Sequence, residues 1–169
     1  MIVRDLPLLR SLYLQLINGL SAIHNGGFAH LDIKLENVLI TSDGLLQLCD
    51  FGFSMPKDEL VTKKMGSVLY MAPEIHNSKQ FPCKAYKSDI FSLGVVFFML
   101  AFGVPPFNSA ELSDGFFTFL KMRPDSTDFF KYHAHTRQLY HDNKIPESFM
   151  KLILTMLRAE PTHRPDEIE

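Results

Sequence analysis

The sequence predicts a mainly α-helical domain with one small β-hairpin. Apolar residues recur at helical spacing along residues 9–23, two short apolar runs flank an Asp-Gly turn at 42–44, and residues 90–107 carry no charge. Helical spacing indicates a face that packs on a core, and Asp-Gly between apolar runs is typical of a hairpin. With 169 residues, 46% of them hydrophobic, the chain is long enough to bury a substantial core within one domain.

The first predicted helix precedes the hairpin along the chain. The apolar residues of the helix are Leu9, Leu12, Leu16, Ile17, Leu20 and Ile23. The sequence Asn25-Gly26-Gly27 then provides a stop signal, because glycine ends helices readily. We expect the strands of the hairpin within residues 37–41 and 45–49.

A central buried helix is predicted at about 88–102, after a long polar loop that covers residues 50–64. Ser88 or Asp89 could cap this helix, and Pro105-Pro106 follows its end. A membrane span needs about 20 apolar residues, and shorter runs are more often core helices. Because glycine and the proline pair interrupt the uncharged stretch, we expect a buried helix and not a membrane span.

The C-terminal third is predicted to contain two further helices. Residues 111–122 suggest one helix, residues 122–146 look irregular, and residues 147–158 carry apolar side chains at helical spacing. Neither a repeat nor a linker divides the chain, so we expect a single domain over residues 1–169.

Charge and cysteine content narrow the classes of partner and location. Seventeen Lys and Arg residues against nineteen Asp and Glu residues give a net charge of −2, so the chain lacks the basic field that recruits nucleic acid. Cys49 and Cys83 allow at most one disulfide and match no metal-ligand spacing. We therefore expect a reducing, intracellular (cytoplasmic) location.

Three short motifs stand in order along the chain. They are H-L-D-I-K-L-E-N at 30–37, D-F-G at 50–52 and A-P-E at 72–74. The first lies between the predicted helix and the hairpin, the second follows the hairpin, and the third follows the long loop. Each motif alone is weak evidence for a function, but the order, spacing and context of the three motifs together indicate phosphoryl transfer.

Phosphoryl transfer suits these residue types because its catalysis is mostly positioning and neutralisation of phosphate charge. Asp32 could accept the proton of an acceptor hydroxyl, and Lys34 could reach the transferring phosphate as a point charge. Asn37 and Asp50 offer oxygen ligands at the two ends of the hairpin. Mg²⁺ prefers one or two such ligands together with phosphate oxygens and water.

Together the motifs resemble the C-terminal (large) lobe of a eukaryotic serine/threonine protein kinase, over nearly the whole chain. The resemblance implies Asp32 as the catalytic base and Lys34 as the lysine that contacts the phosphate of ATP. It implies Asn37 and Asp50 as the Mg²⁺ ligands. The expected activity is transfer of the ATP γ-phosphate to Ser or Thr hydroxyls of protein substrates.

The resemblance also implies roles for three residues around this centre. Ser67 matches the hydroxyl residue that bonds the catalytic aspartate and lysine. Leu39 would form the floor beneath adenine. Glu36 belongs to the same nucleotide-binding and substrate-binding stretch, where it could recognise an arginine near the acceptor hydroxyl.

Further residues match structural positions of the kinase family. Glu74 would pair with Arg164 in a structural bridge, and Asp89 resembles the aspartate that ties the catalytic loop to the central helix. The ring of His30 would pack under Phe51. Lys34, two residues after Asp32, is typical of serine/threonine kinases. The K-L-E-N and G-V-P-P-F segments look most like the calmodulin-dependent group.

The sequence departs from the family in two respects. Leu31 stands where many kinases have arginine. The 169 residues also contain no G-x-G-x-x-G loop and no V-A-I-K strand, which belong to the small N-terminal lobe. We therefore expect a partial kinase domain without that lobe, with a catalytic loop at 30–37, a hairpin at 37–50 and an activation segment at 50–74.

Two functions stay open on the sequence alone. The chain could be the large lobe of a longer, active kinase. Alternatively, it could be a catalytically inactive lobe that serves as a binding module. In both cases we expect a partner or a missing segment to cover the apolar cleft around Leu39.

Overall fold

The computed structural model describes residues 5–76 and 82–167, so residues 1–4, 77–81 and 168–169 of the predicted domain lie outside the described residues. The helices are α1 (Leu6–Asn25), α2 (Pro73–His76), α3 (Ala85–Phe102), α4 (Gly115–Met122), α5 (Asp128–Tyr132), α6 (Arg137–His141) and α7 (Glu147–Met156). The strands are β1 (Phe28–Ala29), β2 (Val38–Ile40), β3 (Leu46–Leu48), β4 (Met55–Pro56), β5 (Leu60–Val61) and β6 (Cys83–Lys84). Short 3₁₀ turns cover Leu35–Asn37 and Pro161–His163. The prediction of a mainly helical fold is confirmed.

Helix α1 and the β2–β3 hairpin match the prediction. Asp5 caps α1 by accepting a hydrogen bond from the Leu8 amide at 3.0 Å, and Gly26 ends the helix. Strands β2 and β3 pair antiparallel, with Val38 opposite Leu48, and Gly44 in the turn takes a φ of +82°. A left-handed residue is required in such a turn, and glycine adopts this conformation without steric cost.

Helix α3 is the buried centre of the fold. It begins at Ala85, three residues before the predicted start, and Lys84 precedes it without a side-chain cap. Ser88 and Asp89 are therefore not N-caps, because both lie inside the helix and bond to other segments. Among the described residues α3 is the one helix long and apolar enough to span a membrane, and most of its residues are buried inside the protein. The predicted burial of this helix is confirmed.

The predicted long loop at 50–64 contains two short strands. Strand β4 pairs with β1, and β5 pairs with β6 immediately before α3. Backbone bonds from the amides of Ala85 to Glu59 and of Tyr86 to Lys57 extend the second contact. The loop is therefore anchored both to the segment before the catalytic loop and to the start of the central helix.

The C-terminal third is more helical than predicted. Helix α4 begins at Gly115 instead of residue 111, with Asp114 as its N-cap. The region predicted to be irregular contains the five-residue helices α5 and α6. The last predicted helix is confirmed as α7, which packs against α3.

His133 lies in this C-terminal third and makes the fold sensitive to acid. Its side chain is buried, and its ring centroid lies 5.0 Å from that of Phe98 and 4.7 Å from that of Phe116. Burial lowers the pKa of His133 below the ordinary 6.5, although a bond with the Pro105 backbone opposes this effect. The imidazole of the folded protein therefore binds a proton only at a lower pH than that of the unfolded chain, which binds one below about pH 6.5.

We expect the free energy of unfolding to decrease as the pH falls below about 6.5, by up to roughly 1.4 kcal/mol per pH unit from this residue. Denaturant unfolding between pH 7 and pH 5 measures this slope. His133→Gln should flatten the slope, whereas His163→Gln, at an exposed position in the Pro161–His163 turn, should leave it unchanged. Equal slopes in the native protein and in His133→Gln would contradict the prediction.

Candidate active site

Asp32 is the centre of a compact hydrogen-bonded constellation. Its carboxylate accepts bonds from Lys34 Nζ at 2.6 Å and from Ser67 Oγ at 2.9 Å. Asn37 Nδ2 donates to the Asp32 backbone oxygen at 2.9 Å and to its Oδ2 at 3.1 Å. Lys34 Nζ also donates to Ser67 Oγ at 3.1 Å. The structure thus brings together four residues that the sequence singles out, although Ser67 follows Asp32 by 35 positions.

The surroundings keep Asp32 ionised at neutral pH. Burial alone would raise its pKa, but hydrogen bonds from Lys34, Ser67 and Asn37 and the charge of Lys34 hold the pKa below its usual value. The same contact raises the pKa of Lys34. A carboxylate that can accept a proton therefore lies beside an ammonium group that can contact an anion.

The backbone before Asp32 is fixed by the central helix. Asp89, which is fully buried, accepts hydrogen bonds from the amides of His30 and Leu31, both at 2.7 Å. Leu31 has a φ of +64°, a conformation that costs a residue other than glycine of order 1–3 kcal/mol. His24 Nε2 lies 2.9 Å from Asp89 Oδ2 and completes the set of partners. Asp89 thus ties the catalytic loop to α3, as the resemblance implies.

Gly66 explains how Ser67 reaches Asp32. Gly66 has a φ of +86°, and a Cβ atom at this position would lie 2.6 Å from the Leu31 carbonyl oxygen. Only glycine allows this close approach without a backbone shift. The loop at 66–67 can therefore pack directly on the catalytic loop.

Asn37 and Asp50 flank the hairpin and could hold a divalent cation. The Cys49 amide donates to the Asn37 carbonyl at 3.0 Å, which closes the hairpin between the two residues. Asn37 uses its side-chain nitrogen on Asp32, which leaves its amide oxygen for a cation. Asp50 is exposed, and its Oδ1 accepts a bond from the Gly52 amide at 3.2 Å. One amide oxygen and one carboxylate fit the modest protein ligand set of Mg²⁺, with phosphate oxygens and water completing the shell.

Leu39 and Glu36 lie outside the Asp32 constellation. Leu39, on β2, is 53% exposed, as a residue on an uncovered apolar surface would be. Glu36 accepts a hydrogen bond from the buried Tyr70 hydroxyl at 3.1 Å. Burial raises the pKa of Tyr70 to about 12, so this hydroxyl remains a donor at neutral pH.

Glu74 and Arg164 form a buried bidentate ion pair. The two guanidinium nitrogens lie 2.6 and 2.7 Å from the carboxylate oxygens. Burial raises the pKa of Glu74, but the charge and hydrogen bonds of Arg164 outweigh it and hold the pKa below the usual value. Ser88 donates to the same carboxylate at 3.0 Å, so the pair joins α2, α3 and the C-terminal segment. The predicted bridge is present.

His30 and Phe51 are also neighbours, with ring centroids 5.1 Å apart. His30 Nε2 lies 3.0 Å from the Cys49 carbonyl oxygen, so the ring contacts the hairpin and not the Asp32 carboxylate. The sequence interpretation missed Tyr70, His24 and Gly66. Of these, Gly66 carries a signal, since glycine is the usual residue where the backbone takes a positive φ or approaches another segment closely.

Comparison with known proteins agrees with this geometry. Residues 5–168 match the protein kinase domain family. The chain is 33% identical over 163 residues to serine/threonine-protein kinase ppk25 of Schizosaccharomyces pombe, an alignment that covers 95% of this chain and 34% of the relative. It is 38% identical over 109 residues to CBL-interacting serine/threonine-protein kinase 17 of Arabidopsis thaliana, covering 62% of this chain and 25% of the relative.

The chain therefore belongs to the protein kinase family, and these relatives are named as serine/threonine-protein kinases. A third example, testis-specific serine/threonine-protein kinase 5 of Mus musculus, is 38% identical over 105 residues, covering 60% of this chain and 28% of the relative. The chain spans about a quarter to a third of the length of these curated relatives.

Proposed function

We propose that the chain is the large lobe of a longer kinase that transfers the ATP γ-phosphate to Ser or Thr hydroxyls of protein substrates. The observation that carries this proposal is the constellation of Lys34, Ser67 and Asn37 around the Asp32 carboxylate. Membership of the protein kinase family and the names of the relatives support it.

Asp32 has the properties of a general base in this reaction. Its carboxylate stays ionised at neutral pH, and three donors fix its orientation. A positioned carboxylate that takes the proton from the substrate hydroxyl contributes roughly 10²–10⁴-fold to a rate. Lys34 carries a positive charge held by Asp32, and we propose that it stabilises the charge that develops on the transferring phosphate.

Asn37 and Asp50 are the residues we propose to hold Mg²⁺ beside ATP. When bound, the metal neutralises phosphate charge and orients the transferring group. Leu39 offers an exposed apolar side chain on β2 for one face of adenine. Glu36 completes the proposed site at the substrate side, where its exposed carboxylate suits a basic substrate side chain. The calmodulin-dependent-like subgroup and the intracellular location stay predictions.

The uncovered surface beside the site supports the proposal of a longer protein. Leu39 is 53% and Phe51 is 52% exposed. Large exposed apolar side chains beside a site are a mark of an interaction surface. A second lobe of the same protein would cover it. The same surface favours the alternative function, in which an inactive lobe uses it to bind a partner.

Transfer of labelled phosphate by the intact protein, meaning the longer kinase of which we propose this chain is the large lobe, tests the proposed function. We expect the γ-phosphate of ATP to reach peptides whose acceptor is Ser or Thr, with little transfer to otherwise identical Tyr peptides. Chelation of Mg²⁺ by EDTA should abolish transfer. The protein contributes only two proposed ligands and leaves the rest of the metal shell to phosphate and water, so EDTA can remove the metal. Absence of transfer, or transfer to Tyr alone, would contradict the proposal.

A further inference from the structure

A hydrogen bond from a side chain of helix α1 holds the β2–β3 hairpin. Gln15 Oε1 accepts a bond from the Leu46 amide at 2.7 Å, and Gln15 Nε2 lies 3.4 Å from Ser11 Oγ, one turn earlier in the helix. Within residues 5–76 and 82–167, it is the one side-chain hydrogen bond between α1 and the hairpin. Gln15 is half-buried, so the bond is partly shielded from water.

The Leu46 amide lies on the outer edge of strand β3. Across the hairpin the Thr41 amide donates to the Leu45 carbonyl oxygen, so this pair is a hydrogen-bonded one. Bonded and non-bonded pairs alternate along an antiparallel ladder, and the next pair, Ile40 opposite Leu46, is therefore non-bonded. The Leu46 amide points away from β2, and Gln15 satisfies a donor that β2 cannot reach.

Helix α1 is itself fixed to the buried core and to the catalytic loop. The Tyr13 hydroxyl donates to the Phe97 carbonyl oxygen on α3, and the two rings stack with centroids 3.8 Å apart. At the other end of α1, His24 contacts Asp89, which also bonds the backbone directly before Asp32. A bond from α1 to the hairpin therefore sets the position of the hairpin relative to the catalytic loop.

The orientation of β3 determines where Asp50 lies. Asp50 follows the end of β3 by two residues, whereas Asn37, at the other end of the hairpin, is held by its bonds to Asp32. Ile40 is 73% and Leu45 is 50% exposed, so the far end of the hairpin has little apolar packing of its own. A tilt of the hairpin on α1 would therefore move the Asp50 carboxylate relative to Asp32.

We propose that Gln15 is a positioning residue for the metal site, because its bond to the outer edge of β3 holds Asp50 where Asp50 and Asn37 can bind one divalent cation. The inference rests on the proposed function, in which these two residues hold Mg²⁺. The net effect of a single neutral hydrogen bond is modest. Loss of the bond should therefore weaken metal binding by about threefold to tenfold without abolishing it.

Titration of the intact protein with Mn²⁺ in the presence of a non-hydrolysable ATP analogue, followed by electron paramagnetic resonance, tests this proposal. Mn²⁺ takes the same oxygen ligands as Mg²⁺ and gives a spectroscopic signal. Gln15→Met keeps the length of the side chain but removes the acceptor, and should weaken Mn²⁺ binding by about threefold to tenfold. Gln15→Glu keeps an acceptor oxygen and should restore binding close to the native affinity.

Gln138→Met is the matched control, because Gln138 is exposed on α6 and bonds to Asp142 in the same segment. This variant should bind Mn²⁺ as the native protein does. Equal Mn²⁺ affinity in Gln15→Met and the native protein would overturn the proposal. So would an equal loss in Gln138→Met, or a loss in Gln15→Met that Gln15→Glu does not restore.

Hydrogen exchange of the Leu46 amide tests the bond itself. In Gln15→Met this amide should exchange about threefold to tenfold faster than in the native protein, and in Gln15→Glu at close to the native rate. Unchanged exchange in Gln15→Met would overturn the proposal. Neither measurement needs phosphate transfer. Native protein that binds Mn²⁺ but transfers no phosphate would therefore contradict the proposed function alone, whereas active protein whose Mn²⁺ affinity ignores Gln15→Met would overturn this inference alone.

Discussion

Asp32→Asn in the intact protein is expected to reduce phosphate transfer by roughly 10²–10⁴-fold, the usual contribution of a positioned general base. The amide has nearly the same shape as the carboxylate, so the fold around it should persist. The asparagine amide cannot take the proton from the substrate hydroxyl. The substitution also removes the negative charge that holds Lys34 Nζ at 2.6 Å. The initial rate of labelled phosphate transfer measures the effect.

The KM for ATP distinguishes loss of catalysis from loss of the site. We propose Asn37 and Asp50, and not Asp32, as the metal ligands, so Asp32→Asn should change kcat much more than this KM. Asp43→Asn is a matched control, because Asp43 is exposed in the hairpin turn and its carboxylate accepts a bond from the Thr41 hydroxyl. Asp32→Asn with a kcat within a few-fold of the native value would contradict the role of Asp32.

Glu74→Ala is expected to lower the free energy of unfolding by about 3–5 kcal/mol, because it leaves the buried Arg164 guanidinium without its counter-charge. Arg164 is 2% exposed and could not regain water without local unfolding. Its remaining bonds go to neutral carbonyl groups of Arg158, Lys87 and Ala159. A loss of this size is a large fraction of the stability of an ordinary domain, about 5–15 kcal/mol.

Thermal and urea unfolding of Glu74→Ala measure this effect, with Glu147→Ala as the control. Glu147 forms an exposed pair with Lys151 at 2.7 Å within α7, and such helix pairs contribute only about 0.3–0.5 kcal/mol. A similar loss of stability in the two variants would show that the Glu74–Arg164 pair does not hold the lobe together.

Long periodic segments were predictable from sequence, and short ones were not. Helix α1, helix α7 and the hairpin carry repeated apolar positions or a turn signal. Strands of two residues, such as β4 and β5, are too short to show alternation, since they exist through tertiary pairing. Helices α5 and α6, with five residues each, are likewise too short for a helical period.

The start of α3 was misplaced for a different reason. Ser88 and Asp89 have the chemistry of N-caps, but their side chains bond instead to Glu74 and to the catalytic-loop amides. Tertiary hydrogen bonds thus replaced the local cap that the sequence suggested. At the candidate site, the kinase resemblance identified Asp32 and its partners. The Tyr70–Glu36 bond joins residues 34 positions apart and has no local signal.

The mass of the native protein tests most directly whether these 169 residues act as the large lobe of a longer kinase. An immunoblot of source cells, with an antibody raised against this chain, gives that mass. We predict a band well above 19.3 kDa, because an additional lobe would be needed to cover Leu39 and Phe51 and to complete the ATP site. A single band at 19.3 kDa would contradict the proposal and favour the inactive binding module.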